Sequence, residues 1–217
     1  MPGYQTIEAC YTLGDSHFVI RSLLDQQQYA DPQGLAAAAG ISSAQWPLFG
    51  LVWPSARILA DAMQSVNIKG LRILEVGCGL ALASLVLHGR AGNITASDCH
   101  PLAGSFLEEN LRLNQLPAME YQSGNWKLKC PELGEFDLII ASDVLYDREL
   151  PELLALFIDA HAASPVSVII LDPDRGNRNP FRRAMVNLGF VVTIEPAKRF
   201  QGSGEAYHGH YLHCHRP

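Results

Sequence analysis

Two groups of residues in this chain have the types and spacing that chemistry on a bound ligand requires. The first is the run Ile73-Leu74-Glu75-Val76-Gly77-Cys78-Gly79-Leu80-Ala81, with Asp98 falling 21 positions after Gly77. Glycines at the end of an apolar strand let the backbone approach a ligand closely. An acidic residue ending the next strand can accept hydrogen bonds from ribose hydroxyls. Together they predict an adenosine-containing cofactor. A dinucleotide loop reads GxGxxG, but Leu82 stands at the third glycine and a carboxylate, Glu75, precedes the first. Neither suits a pyrophosphate, so NAD is disfavoured. S-adenosylmethionine has no phosphate and presents ammonium and sulfonium groups to such a turn, which makes methyl transfer the leading idea. An ordinary strand, turn and helix capped by glycines is the competing reading, and Asp98 counts against it.

The second group is Phe136 to Asp147, FDLIIASDVLYD. It places Asp143 at the carboxyl end of a central strand beside the strand that carries Gly77, where open α/β sheets bind ligands. A carboxylate and a phenol, Asp143 and Tyr146, can position an amine and accept its hydrogen bonds during an in-line transfer. The competing reading is that Asp143 only ends the strand and Tyr146 packs as core. Asp172-Pro173-Asp174-Arg175 closes the fifth strand of the core and is expected to line the substrate entrance. It departs from the (N/D)PP(F/Y) signature of base-amino methylation and lies on the wrong strand for it. His208, His210, His213, Cys214 and His215 crowd the tail without any accepted zinc spacing, so no metal is expected.

These residues need an alternating scaffold, and from Leu71 the pattern supplies one. Strands are expected at 71–76, 93–98, 119–122, 136–142, 166–172, 190–195 and 206–214, and helices at 80–90, 101–114, 149–162 and 179–188. This predicts an α/β, Rossmann-like, doubly wound and mostly parallel seven-stranded sheet, whose last strand pairs antiparallel because no helix precedes it. Residues 1–70 read as an N-terminal helical extension, with a short Ala-rich helix at 31–40 and a firmer one at 55–66 led by Pro54. The Gly202-Ser203-Gly204 loop is expected to be mobile. The 217 residues are expected to form a single domain, extension plus core at 71–217.

A net charge of −6 leaves no broad cationic surface for a phosphate backbone, although Arg175, Arg178, Arg182 and Arg183 form a local patch, so no nucleic-acid partner is expected. No apolar run has the length to span a bilayer, so no membrane partner is expected. Five cysteines, an odd set without a CxxC pair, point to a reducing cytoplasm. The sequence sets no oligomeric state.

Leu51-Val52-Trp53-Pro54-Ser55, the EVGCGLA turn, Ser97-Asp98 with Asn110 and Asn114 in the next helix, Gly124-Asn125-Trp126 and Asp143-Val144-Leu145-Tyr146 occur in one order. Residues 46–160 in this respect resemble the seven-β-strand protein-lysine methyltransferases, methyltransferase family 16. Ala81 stands where the third glycine of their first motif is usual, and Asn125 where they often carry Asp. The resemblance implies S-adenosylmethionine as cofactor, Gly77, Cys78 and Gly79 at its methionine end, Asp98 at its ribose, and Glu75 and Cys99 among the cofactor-binding residues. Trp126 would lie against the adenine, Ala141 would line the pocket with its backbone, and Trp53 would help close the site. It implies methylation of a protein lysine; a small amine as acceptor and a non-catalytic cofactor-binding partner protein are the alternatives.

Overall fold

The computed structural model describes residues 3–13, 16–197 and 207–217. The first elements are β1 (Thr6–Leu13) and β2 (Ser16–Leu23), an antiparallel hairpin with Leu13 opposite Ser16. The helical reading of the extension did not foresee it, although a two-residue Gly14-Asp15 connection between alternating runs is a hairpin signal. The free edge of β2 is paired by side chains. Asn110 and Asn114 each accept from and donate to one β2 main chain, at Arg21 and Val19 respectively, with N–H···Oδ1 distances of 2.7 and 2.8 Å. One turn apart on a helix, the two amides present to β2 what another strand would.

The expected helices of the extension are present but shorter. α1 (Leu35–Ala38) is shorter than 31–40: Asp31, whose carboxylate accepts from the Ala36 and Ala37 N–H groups, holds its amino end, and Gly40 (φ 79°) follows its last turn. A 3-10 turn over Trp46–Gly50 leads to α2 (Pro54–Ala62), where Pro54 fills the first helical position and Ile58 and Leu59 are buried.

The core then alternates as β3 (Arg72–Val76), α3 (Leu82–Gly89), β4 (Asn93–Asp98), α4 (Ala103–Leu113), β5 (Glu120–Ser123), β6 (Phe136–Ser142), α5 (Leu150–His161), β7 (Ala162–Asp172), α6 (Arg178–Asn187), β8 (Val191–Pro196) and β9 (His210–Arg216). The sheet order is β5-β4-β3-β6-β7-β9-β8, with β9 antiparallel to both neighbours and the pairs from β5 to β7 parallel. The doubly wound sheet and its antiparallel last strand therefore stand as read. Residue 206 and the Gly202 loop lie outside the described residues. The histidine-rich tail is an interior strand, with Leu212 and Cys214 buried and His210 against Arg178 and Asp174.

Alternate residues feed two apolar cores. Ile73, Leu138 and Ile140 join one, with the α3, α4 and extension side chains, while Leu74, Ile139 and Ala141 join the other with α5 and α6. Burial on both faces is what makes these strands read as continuous apolar runs. Strand order reverses between β3 and β6, which puts the carboxyl ends of both at one crevice. A recess of about 500 Å³ lined by Lys69, Arg90 and Asn93 lies at the opposite, amino end of β3 and β4.

Candidate active site

Three residues of the turn after β3 have left-handed backbone: Gly77 (φ 61°), Gly79 (φ 53°) and Ala81 (φ 58°). Glycine takes this conformation freely, whereas the non-glycine Ala81 holds it as the residue capping α3, fully buried. At Gly77 a Cβ would stand 2.8 Å from Val144 Cγ1 and 3.3 Å from the Trp126 ring. Trp126, on the loop after β5, thus lies directly against the turn. At Gly79 a Cβ would meet the Phe49 carbonyl oxygen at 2.8 Å, so the extension roofs the turn from the other side.

Asp98 is 8% exposed at the end of β4, and its two oxygens accept from the Gly79 and His100 N–H groups, both at 2.8 Å. Burial raises its pKa, against the pull of those hydrogen bonds. Each oxygen keeps a lone pair for a further donor. Glu75 is buried and accepts from the Ser84 N–H at 2.8 Å and from the Ser84 hydroxyl. Burial pushes its carboxyl up to about 7. Cys78 is buried and its thiol is pushed up by burial, whereas Cys99 is exposed beside Asp98. The His100 ring stacks on Phe49 at 3.7 Å and burial lowers its pKa to about 4, so it is neutral at physiological pH.

Across the crevice, Asp143 directly follows β6 with φ 56°, its N–H donating to the Leu171 carbonyl at 2.9 Å. Both its oxygens are engaged by Arg175, Nε to Oδ1 at 2.6 Å and Nη2 to Oδ2 at 2.8 Å. The Arg175 guanidinium also lies 6.0 Å from the Trp53 ring. Trp53 caps α2 and its Nε1–H donates to the Leu48 carbonyl at 2.8 Å, which fixes the ring at this rim. Tyr146 is 46% exposed, yet local desolvation, with Cys99, Asp98, Asp147 and Asp143 in electrostatic reach, pushes its phenol up to about 12. It therefore stays protonated. Ala141 is fully buried within the sheet, one residue short of the strand's open end.

The crevice thus gathers Glu75, Gly77, Cys78, Gly79, Asp98, Cys99 and Trp126 on the β3–β4 side and Asp143, Tyr146 and Trp53 on the β6 side. Sequence reasoning gave Arg175 only as a surface cation and a member of the entrance segment, and gave Tyr207 no role. Tyr207 hydrogen-bonds Ser55 Oγ at 2.9 Å and sits in electrostatic reach of Asp143 and Asp172. No sequence signal gave Arg175 this role, because the burial that makes Asp143 need a countercharge exists only in the fold. Asp172, 1% exposed at the end of β7, accepts from the Asp174 N–H at Oδ2 (3.0 Å) and keeps Oδ1 without a hydrogen-bond partner among the described residues.

The strand order and crevice define a Rossmann-like methyltransferase fold. A solved structure with this fold, magnesium protoporphyrin IX methyltransferase from Synechocystis PCC 6803 with bound SAM, aligns with TM-score 0.58 and 19% identity over 75% of this chain and 82% of that one. The model of the family described as lysine methyltransferase matches residues 44–182, and the chain belongs to that family. Among curated proteins it is 33% identical to the electron transfer flavoprotein beta subunit lysine methyltransferase of Xenopus laevis, over 59% of this chain and 53% of that protein. It is 31% identical to the calmodulin-lysine N-methyltransferase of Arabidopsis thaliana, over 66% of this chain and 53% of that protein. The chain spans about half the length of the curated relatives it matches.

Proposed function

We propose that this chain is an S-adenosylmethionine-dependent N-methyltransferase acting on a lysine side chain of a protein. The observation that carries the reading is the meeting, at the switch point of the sheet, of the bare Gly77–Gly79 turn with Asp98 and Trp126 on one side and Asp143 and Tyr146 on the other. Membership of the lysine methyltransferase family supports it. The groups around the turn fit the cofactor: partly buried glycines, the carboxylate of Asp98 and the flat ring of Trp126 suit a cationic, ribose-bearing ligand without phosphate.

When bound, S-adenosylmethionine supplies a methyl group already made electrophilic by its sulfonium. The protein's own task is alignment. In this reading Gly77, Cys78 and Gly79 hold the methionine end by main chain, with Glu75 beneath. Asp98 and Cys99 border the ribose, Trp126 and the backbone near Ala141 border the adenine, and Trp53 closes the rim. Asp143 and Tyr146 orient the acceptor amine. A lysine amine of ordinary pKa near 10.4 must be neutral to attack, and Asp143 favours the ammonium, so its role is orientation rather than proton removal. Tyr146, held protonated, donates or accepts a hydrogen bond without becoming a base. Its exposure gives an open rim that a polypeptide can reach, whereas a small amine would call for a closed pocket.

All five cysteines are free thiols, which supports a cytoplasmic location. Among the described residues no helix is long and apolar enough to cross a membrane. In the same reading residues 1–217 act as one domain, since extension side chains Leu13, Ile20 and Trp46 share a core with the β3 and β4 strands.

The test is incubation of the purified chain with methyl-labelled S-adenosylmethionine and a cell lysate, followed by mass spectrometry. Label on protein lysine is expected. Label confined to small amines, or no transfer at all, would overturn the reading.

A further inference from the structure

Asp143 and Arg175 differ in how firmly each is held. The Asp143 side chain is 9% exposed, on a residue with left-handed backbone whose N–H is tied to Leu171. Arg175 is 41% exposed at its side chain and stands in the β7–α6 loop between Asp174 (φ 67°) and Gly176 (φ 86°). The anion is fixed by the fold, while the cation hangs on a long side chain with an open path to solvent. Both carboxylate oxygens are taken by the two parallel N–H donors, a geometry that leaves little of the carboxylate for another donor. The same guanidinium lies beside the Trp53 ring, a face that attracts alkylammonium for the same electrostatic reason.

We infer that Arg175 is an intramolecular stand-in for the acceptor: its guanidinium occupies the place of the substrate lysine's ammonium head between Asp143 and Trp53, and it must swing out before an acceptor can bind. The inference rests on the assignment of Asp143 to the acceptor amine. It adds a specificity device to that assignment. The amine competes with a tethered cation, so its apparent affinity is reduced by the fraction of molecules in which Arg175 is already displaced. A free alkylamine has few other contacts with which to shift that balance. A lysine carried on a folded protein gains contacts outside the crevice, and those can drive Arg175 out. The latch thereby favours protein-borne lysine over free amines. Charge balance is kept on binding, since one cation leaves the carboxylate as another arrives, and the ammonium gives its proton to solvent at the open rim before it attacks.

The experiment compares wild type, Arg175→Ala, Arg175→Gln and the double variant Arg175→Ala/Asp143→Asn. Melting temperature and S-adenosylmethionine affinity serve as controls, and the Gln variant stands in if Ala does not fold. The binding arm titrates methylguanidinium into each protein by calorimetry and needs no methyl transfer. Arg175→Ala should bind it at least about tenfold more tightly than wild type or the double variant, because the probe refills the vacated place. The kinetic arm uses n-butylamine with labelled S-adenosylmethionine. Arg175→Ala should lower KM for the amine about tenfold or more with kcat little changed, and methylguanidinium should then inhibit competitively. The opposite result, a raised KM or lowered kcat that methylguanidinium restores, would make Arg175 a permanent positioning partner of Asp143 and overturn the latch. Equal probe binding in wild type and Arg175→Ala would overturn it as well. If no protein transfers methyl to any acceptor, the proposed activity fails, and the binding arm still decides the latch.

Discussion

The carboxylates on the two sides of the crevice are held by different kinds of donor. On the β3–β4 side Asp98 takes the N–H groups of Gly79 and His100, and Glu75 takes that of Ser84. On the β6 side Asp143 takes both its side-chain hydrogen bonds from the half-exposed Arg175. These main-chain donors sit in the turns after β3 and β4 and in the first turn of α3 and cannot leave without unfolding them, whereas a guanidinium can exchange for another cation. One half is thus preorganised by main chain, and in the proposed latch the other half changes partner. In the proposed reaction the rigid half receives the cofactor and the exchangeable half receives the acceptor.

The sharpest way to break this contrast is to disturb the rigid half at Gly77. Ala there must adopt φ 61° and place its methyl 2.8 Å from Val144 Cγ1 and 3.3 Å from Trp126. Strain and overpacking together should cost about 2 to 4 kcal/mol of stability and displace Trp126, with loss of S-adenosylmethionine binding. Chemical denaturation and calorimetry would read both, and wild-type behaviour in either would show the turn to be pliable.

Glu75 sharpens the same contrast through pH. Its carboxyl, raised by burial to about 7 from an ordinary 4.5, binds a proton in the folded state that the unfolded chain has already lost. Stability from this group is therefore complete below about pH 4.5 and falls as pH rises toward 7, by on the order of 3 kcal/mol. Glu75→Gln should flatten that slope between pH 4.5 and 7 in urea denaturation, and a variant with the wild-type slope would remove the burial argument. A smaller effect is expected at Asp98. Asp98→Ala leaves the Gly79 and His100 N–H groups without their acceptor and should weaken S-adenosylmethionine binding by about 1 to 3 kcal/mol. Unchanged affinity would place Asp98 outside the cofactor site.

How much of this was legible in the sequence follows from which interactions are local. The strands and helices of the core carry their pattern in their own residues, because each central strand is buried on both faces and each helix on one. The turn glycines and Asp98 were legible for the same reason, as a strand, a turn and a helix in succession. The hairpin of β1 and β2 was missed because β1 is only partly buried and because the free edge of β2 is satisfied by Asn110 and Asn114 from some 90 residues away. Trp53 stands directly before Pro54 in the sequence, and its place beside Arg175 exists only in three dimensions. The Asp143–Arg175 pair joins the ends of two strands 32 residues apart in the chain, and charge patterning along a sequence does not register such a pair.

The central claim is that the β6 side of the crevice aligns an amine for methyl transfer, and single-turnover methylation tests it most directly. With saturating methyl-labelled S-adenosylmethionine and a protein substrate identified by labelling, wild type should be compared with Asp143→Asn and Tyr146→Phe. Both substitutions nearly conserve volume, so melting temperature and most cofactor affinity should be retained. Alignment is most of what this chemistry asks of the protein, so both variants should transfer methyl at least about a hundredfold more slowly. Wild-type rates in both variants would contradict the account.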